Sequence, residues 1–361
     1  MGIKVYVGNV LDRLKDIPEK SINTVITSPP YWGLRDYGTA EWEGGDPNCP
    51  HMRTTKISKD TATGHKAMFD KGNVVGDAIY KTECPKCGAV RKDSQLGLEE
   101  TPEEFAENLV KVFREVKRVL RDDGTVWLNL GDSYSSGGRT TTTNQSLRGD
   151  KNYGVTKPKT NKNIKPKDLI GIPWRVAFAL QQDGWYLRQD IIWHKPNPMP
   201  ESVKDRCTKA HEYIFLLSKN VKYYFDNEAI KEDAKYPQGP NSPKNIKKGV
   251  GNFGMDTREG LSKIGALPKK NKRSVWTVTT KPFKDAHFAT YPKDLIEPCI
   301  LAGCPEGGTV LDPFGGSGTT CIVSEENKRN SVMVELNPDY VEIAKNRIHK
   351  ELGILGAVEI L

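Results

Sequence analysis

The sequence has no apolar run long enough to cross a bilayer, which leaves no candidate membrane-spanning helix. It is short of acid: 46 Asp and Glu stand against 54 Lys and Arg, a formal net charge of +8. That balance favours a polyanionic partner without identifying one. Seven cysteines, an odd number in a chain of 361 residues, speak against a disulfide framework and for a reducing compartment. The opening residues Met1-Gly2-Ile3-Lys4-Val5 read directly into a strand and not into a cationic and apolar leader. A cytoplasmic chain with no membrane partner is therefore expected. No internal repeat is present.

What remains is an alternation of strands and helices. Lys4–Val7 is rich in β-formers, Val10–Asp16 has helical spacing, and Ser21–Thr27 reads as a buried strand that ends at Pro29-Pro30. Thr101-Pro102-Glu103-Glu104 has the form of a helix start. Phe105, Leu109, Val112, Phe113, Val116 and Leu120 then recur at helical spacing up to a stop at Gly124, and Thr125–Leu130 follows as a strand. Further along, Pro173–Asp183 reads as a helix, Tyr186–His194 as a strand and Thr309–Leu311 as a short strand. A helix is expected from about Thr319, a strand over Ser331–Glu335 and a helix over Asp339–Glu351. Such alternation implies a parallel sheet covered on both faces. Three stretches interrupt it: 41–100 is polar and carries cysteines, 139–167 holds eight Lys or Arg and one acid, and 227–275 is rich in Pro, Gly, Asn and Lys. Each is a surface loop or a device for gripping a substrate.

Leu311-Asp312-Pro313-Phe314-Gly315-Gly316-Ser317-Gly318-Thr319-Thr320 follows a strand and opens a helix. Its glycines permit close backbone approach to a ligand, and the helix start offers unpaired N–H groups. No lysine follows the last glycine, so a triphosphate cradle is not expected, and the spacing differs from the dinucleotide fingerprint. The next strand ends at Glu335, where a carboxylate can accept hydrogen bonds from both hydroxyls of a ribose. The pair suits an adenosine-containing cofactor.

Thr27-Ser28-Pro29-Pro30-Tyr31-Trp32 closes the second strand. Its two prolines stiffen the turn and remove two N–H groups, leaving carbonyls without competing donors. Ser28 Oγ and the Pro29 carbonyl suit the two N–H bonds of an exocyclic amino group, with Tyr31 stacked on the ring. Drawing both protons toward acceptors frees the nitrogen lone pair to attack a methyl sulfonium. The hydroxyl is a poor base, so its expected role is positioning. A base in a duplex must be flipped out to reach such a turn.

Together these segments resemble the beta class of DNA amino-methyltransferases, a permuted family in which the catalytic turn precedes the cofactor loop. The resemblance rests on Gly8-Asn9, Thr27–Trp32, Trp127–Tyr134, Trp193–Pro198, Ser274–Trp276, His287–Pro292 and Asp312–Thr320. It implies an α/β, Rossmann-like, S-adenosylmethionine-dependent fold with a mixed, mostly parallel sheet and a target-recognition segment; the zinc-like inserted segment is read from its cysteines and lies outside the resemblance. It also implies catalytic Ser28, Pro29, Pro30 and Tyr31, and a cofactor site of Asn9, His287, Asp312, Phe314, Gly315, Gly316, Ser317, Gly318 and Glu335. Asn9 stands where Asp is usual in the family. Trp32 and Asp132 either line the target pocket or pack structurally. Ser before Pro-Pro-Tyr looks like the cytosine-N4 enzymes, whereas Asp or Asn is typical of adenine-N6 enzymes. Cytosine-C5 chemistry needs a nucleophilic thiolate, and Pro298-Cys299 lies in an apolar helical run.

The implied organisation is a catalytic-turn part (1–40), an insertion (41–100), core with a basic loop at 139–167 (101–198), a target-recognition region (199–275) and a cofactor part (276–361). Cys84-Pro85-Lys86-Cys87 is a zinc-knuckle spacing, and Cys49-Pro50-His51 supplies two further ligands, with His65 an alternative. A structural Zn²⁺ is expected there; the remaining cysteines read as core or surface thiols. Lys244, Lys247, Lys248, Lys269, Lys270, Lys272 and Arg273 offer phosphate contacts to double-stranded DNA. The expected function is site-specific cytosine-N4 methylation, in a restriction–modification setting with a restriction endonuclease partner. The rivals are an amino-methyltransferase of adenine, RNA or protein, and a catalytically silent zinc-bearing DNA-binding protein.

Overall fold

The computed structural model describes residues 2–33, 39–51, 82–135, 164–234, 269–280, 290–353 and 357–361. In chain order the elements are β1 (Ile3–Val7), α1 (Val10–Arg13, continued by a 3₁₀ turn over Leu14–Asp16), β2 (Ile22–Thr27), β3 (Glu41–Glu43), β4 (Val90–Lys92), α2 (Pro102–Val119), β5 (Leu120–Leu130) and α3 (Ile172–Gln182). There follow β6 (Tyr186–His194), β7 (His211–Ser218), β8 (Glu232–Asp233), β9 (Lys269–Lys270), β10 (Val275–Thr277), α4 (Lys293–Gly303), β11 (Thr309–Asp312), α5 (Thr319–Glu326), β12 (Asn330–Glu335), α6 (Pro338–Leu352) and β13 (Val358–Ile360). The chain divides into two compact units. One comprises Met1–Pro29, Ala106–Asp132 and Gly171–Leu361; the other comprises Pro30–Phe105 and Ser133–Ile170.

The first unit is built on a nine-stranded sheet of order β10-β6-β7-β5-β2-β11-β12-β1-β13. Every neighbouring pair is parallel except the two made by β7, which runs antiparallel to β5 and β6. The expected mixed, mostly parallel α/β sheet is therefore present. Its central strands read as continuous apolar runs because both faces are covered. Ile26, Trp127, Trp193, Leu216 and Val310 pack with Leu295, Ile296, Cys299 and Ile300 of α4 in one buried cluster. Ile3, Val5 and Met333 pack with Ile322 of α5 and with Val341, Ala344 and Ile348 of α6 in another.

Local chemistry explains the helix starts. Thr101 and Glu104 form a reciprocal capping box: the Glu104 amide donates to Thr101 Oγ1 at 3.1 Å, and the Thr101 amide donates to Glu104 Oε2 at 3.2 Å. Asn337 caps α6 through the Asp339 amide, with Pro338 in the first turn.

Two boundaries differ from the sequence expectation. The helix that begins at Pro102 ends at Val119, not at Gly124, and β5 begins at Leu120. Ile22 pairs with Leu120 but Thr24 pairs with Thr125, so residues 121–124 bulge out of the ladder. A Cβ on Gly124 would sit 2.5 Å from Leu120 Cγ, which is why the bulge needs glycine there. The second difference is β7, a core strand whose Ile214–Ser218 are buried. It lies inside the 199–275 span assigned to target recognition, so that span is interrupted by a strand of the central sheet.

Gly303 ends α4 where the helix presses on the sheet. A Cβ there would lie 2.8 Å from Thr24 Oγ1, 2.8 Å from Trp127 Nε1 and 2.9 Å from Thr125 Oγ1. Gly303→Ala should overpack this contact and cost about 1–3 kcal/mol, read as a lower urea midpoint at unchanged slope; an unchanged midpoint would contradict the packing described.

Candidate active site and cysteine cluster

Parallel pairing brings the carboxyl ends of β2, β11, β12 and β1 to one edge of the sheet. Val25 lies opposite Leu311, Asp312 opposite Met333 and Glu335 opposite Val7. The loops that follow therefore start side by side, which is where open α/β sheets hold ligands. The Thr27-to-Ser28 turn and the glycine loop, far apart in the chain, meet directly: Thr27 Oγ1 donates to Asp312 Oδ1 at 2.7 Å.

Asp312 is 1% exposed. Its Oδ1 also accepts the Phe314 amide at 3.1 Å, and its Oδ2 accepts the hydroxyls of Tyr291 at 2.9 Å and Thr320 at 2.6 Å. Burial pushes this carboxyl above the ordinary range, with the four donors pulling the other way. The Tyr291 and Thr320 hydroxyls also lie against each other, and with one hydrogen apiece they share those protons between this contact and Asp312. Burial and the Asp312 charge raise the Tyr291 phenol well above its usual value, so it remains a donor. Asp312 is thus a hub that fixes the turn and the loop against each other.

The three glycines of the loop serve different ends. A Cβ on Gly315 would fall 2.5 Å from Met333 Cε, so that residue allows the loop to lie on β12. Gly318, at φ +74°, caps α5 and faces Ala344 at 3.2 Å from where a Cβ would be. Around Gly316, at φ +52°, nothing lies nearer than the Phe314 carbonyl at 4.0 Å, so there the positive φ is the requirement. The Gly316 amide donates to Glu335 Oε2 and the Asn337 amide to Glu335 Oε1, both at 2.9 Å. Burial lifts the Glu335 carboxyl to about 6, against those two hydrogen bonds and one from the Leu336 backbone. Three donors leave part of the carboxylate's acceptor capacity free. A buried acid held only by backbone donors, on an open glycine turn, fits the hydroxyls of a ribose.

The structure brings most of the expected cofactor residues to this edge: Asp312, Phe314, Gly315, Gly316, Ser317, Gly318, Glu335 and Asn9. Asn9 uses its side-chain oxygen to cap α1 through the Leu11 amide at 2.9 Å. Ser317 is buried and held by Arg347 of α6, whose guanidinium donates to Ser317 Oγ at 2.9 Å and Thr319 Oγ1 at 2.7 Å. His287 lies outside the described residues. Ser28 and Pro29 belong to the first compact unit, Pro30, Tyr31 and Trp32 to the second. Asp132 Oδ1 accepts the Gly171 and Ile172 amides at the start of α3, a capping role. Thr27, Tyr291 and Thr320 lie inside the quoted motifs but received no role of their own from the sequence, and Arg347 lies outside them. Each is an ordinary residue type whose importance comes from a partner distant in the chain.

In the second unit, Cys49, His51, Cys84 and Cys87 bring their ligand atoms within 4.8 Å of one another. His65 lies outside the described residues. The remaining cysteines match their core or surface reading. Cys207 is exposed, and burial pushes the Cys304 and Cys321 thiols to about 12 and the Cys299 thiol higher still. Such thiols are poor nucleophiles for C5 chemistry. Of the cations expected to meet phosphate, Arg273 and Lys270 face Glu232 at 3.0 and 3.8 Å, and Lys272 lies over Trp276. Lys244, Lys247, Lys248 and residues 139–163 lie outside the described residues.

A family model, N6_N4_Mtase, described as DNA methylase, matches residues 22–346. The Type II methyltransferase M.Cfr9I of Citrobacter freundii is 41% identical over 350 residues, spanning 97% of this chain and 89% of that protein. The Type II methyltransferase M.SmaI of Serratia marcescens is 41% identical over 348 residues, spanning 96% and 90%. Among solved structures, a PvuII DNA methyltransferase described as cytosine-N4-specific aligns with a TM-score of 0.55 at 16% identity, over 96% of this chain and 86% of its own. A putative DNA modification methylase of Thermus thermophilus, complexed with S-adenosyl-L-methionine, aligns at 0.52 with 20% identity over 99% of both chains. These two likenesses establish the shared fold.

Removing the hub should loosen turn and loop together. Asp312→Ala leaves four buried donors without their acceptor and is expected to cost about 3 kcal/mol or more. Asp312→Asn keeps one oxygen for Thr27 and Phe314 and should recover most of that loss. Equal destabilisation by both substitutions in chemical denaturation would show that the acceptor geometry is not what matters.

Proposed function

The chain belongs to the N6/N4 DNA methylase family, and we propose that it transfers the methyl group of S-adenosylmethionine to the exocyclic N4 of a cytosine flipped out of double-stranded DNA. The observation that carries this reading is the Thr27–Asp312 hydrogen bond, which sets the amine-gripping turn beside the glycine loop. The Ser28 residue before Pro-Pro-Tyr supports cytosine over adenine as the base. The relatives' Type II designation supports a restriction endonuclease acting beside this enzyme.

In this account Phe314–Gly318 and Glu335 hold the cofactor, Glu335 by accepting from the ribose hydroxyls and Phe314 by flanking the adenosine. When bound, S-adenosylmethionine supplies an electrophilic methyl group. Ser28 Oγ and the Pro29 carbonyl accept the two amino protons of the flipped base and orient the nitrogen lone pair toward that methyl. Tyr31 stacks on the ring and fixes its plane. The amino group would lose one proton to water as the new N–C bond forms and the methyl–sulfur bond breaks, its electron pair staying on the departing thioether, so no side chain is assigned as a base. Ser28→Ala should lower single-turnover methyl transfer by roughly 10²–10³ while cofactor affinity stays the same. Undiminished transfer would remove Ser28 from the mechanism.

Glu335 gives the site a pH dependence. Its folded-state pKa of about 6 lies above the ordinary carboxyl value of 4.5, so protonation is favoured in the empty site, and holding the charge costs stability above that pH. A ligand that donates hydroxyls to the carboxylate prefers the charged form. Affinity for S-adenosylmethionine should therefore climb as pH rises through about 6 and level off above it. Calorimetric titration between pH 5 and 8 checks this, and a flat profile would contradict ribose binding by Glu335.

A further inference from the structure

The cysteine cluster of the second unit takes no part in the chemistry above, yet two of its ligand distances match those of a tetrahedral metal site. Cys49 Sγ lies 3.8 Å from Cys84 Sγ, and Cys87 Sγ lies 3.5 Å from His51 Nδ1. Two thiolates on one tetrahedral zinc are separated by about 3.8 Å, and a thiolate and an imidazole nitrogen by about 3.6 Å, given Zn–S near 2.3 Å and Zn–N near 2.0–2.1 Å. The backbone is shaped to hold this set. Gly88, at φ +72°, turns back so that its amide donates to the Cys84 carbonyl at 2.7 Å. A Cβ on Gly45 would meet Cys87 Sγ at 2.8 Å. His51 sits in the left-handed region at φ +50° and stacks on Trp42 with ring centroids 4.2 Å apart. Three soft thiolates and one imidazole select zinc over harder cations, and four protein ligands leave no open position for catalysis.

The same unit has little else to order it. Among its described residues the buried apolar side chains are Trp32, Cys84, Ala89, Pro102, Phe105 and Ile170. A metal is the common substitute for a core of that size. The cluster is joined by short links to the last part of the catalytic turn. Cys87 leads into β4, which pairs with β3, the strand that carries Trp42. After β4 the chain reaches Gly97 and Glu99. The Gly33 amide donates to the Gly97 carbonyl at 2.8 Å, and Trp32 Nε1 donates to the Glu99 carbonyl at 3.0 Å. Gly97, at φ +92°, lies so close that a Cβ would be 3.0 Å from the Tyr31 carbonyl oxygen. Residues 97–99 are thus the backing of Tyr31 and Trp32.

We propose that Cys49, His51, Cys84 and Cys87 bind one structural zinc ion, and that this ion holds the 95–99 segment in place as the backing of Tyr31. Cys49, His51, Cys84 and Cys87 are then positioning residues, acting through Gly97 and Glu99. The metal site stands independently of the enzyme's reaction; its effect on catalysis rests on the amino-methyltransferase reading.

The test uses the full chain. Elemental analysis should find one zinc per chain, and exchange with Co²⁺ should give the intense visible bands of a tetrahedral thiolate site. Cys87→Ser should weaken both signals, Cys87→His should restore metal binding, and Cys207→Ser, at an exposed thiol outside the cluster, should leave metal content unchanged. Hydrogen exchange then reads the positioning role without any methylation assay. Removing zinc should speed exchange in residues 31–33 and 95–99 by about tenfold or more, while the Gly315–Gly318 amides change by less than about twofold. Methyl transfer at saturating cofactor should fall in parallel, with cofactor affinity unchanged. A protein without stoichiometric metal and without a cobalt spectrum overturns the site. Stoichiometric zinc whose removal leaves the 31–33 amides protected overturns the positioning role, as does loss of protection at Gly315–Gly318 to the same degree. An intact metal site on a protein that methylates no DNA would count against the proposed reaction alone.

Discussion

One buried carboxylate joins the two halves of the site. Asp312 ends β11 with no cation beside it among its hydrogen-bond partners, and it is held by Thr27, Tyr291, Thr320 and the Phe314 amide. A charge taken out of water is costly unless its lone pairs are filled, and here four donors converge on two oxygens. Thr27 and Asp312 are 285 residues apart, and this contact and the parallel ladder beneath it tie the start of the turn at the end of β2 to the glycine loop after β11. Displacing Asp312 would move both.

The sheet makes the order of the chain immaterial to the site. β2 comes early and β11 late, yet they are neighbours, and their loops leave from the same edge. A permuted sequence therefore places these loops side by side so long as the strand order is kept. The rest of the loop is held by geometry of the same kind. Gly315 lets it lie on Met333, Gly318 lets α6 approach, and Arg347 reaches from α6 to Ser317 and Thr319. Glu335 is left as a buried acid with backbone donors and free acceptor capacity, a state that favours a ligand rich in hydroxyls. The free protein bears the cost of that charge above a pH of about 6.

Much of this was legible in the sequence because it is local. Glycine spacing, a proline pair, an N-cap followed three residues later by Glu104, and short Cys-x-x-Cys and Cys-x-His spacings all act within one turn of chain. They marked the glycine loop, the Pro-Pro turn, the start of α2 and the four residues of the Cys–His cluster. What escaped notice depends on distant partners. Tyr291 and Thr320 matter only because Asp312 is buried between them. Arg347 looks like half of a helical ion pair with Glu351, and that contact exists, but its reach to Ser317 depends on how α6 packs. The bulge at residues 121–124 keeps the apolar pattern of a helix running on to Leu120 while the backbone has already become strand. The antiparallel β7 was masked by the polar residues on both sides of it, although its Tyr213–Leu217 run is as apolar as any other strand of the core.

The central claim is that an exocyclic amino nitrogen of a base in DNA receives the methyl group. Its most direct test is incubation of double-stranded DNA of mixed sequence with the enzyme and isotopically labelled S-adenosylmethionine, then digestion to nucleosides and mass spectrometry. Labelled N4-methyldeoxycytidine is the predicted product. Labelled N6-methyldeoxyadenosine would preserve the amine-gripping turn and overturn the choice of base. Labelled 5-methyldeoxycytidine, or DNA without label from an enzyme that binds the cofactor, would contradict the account.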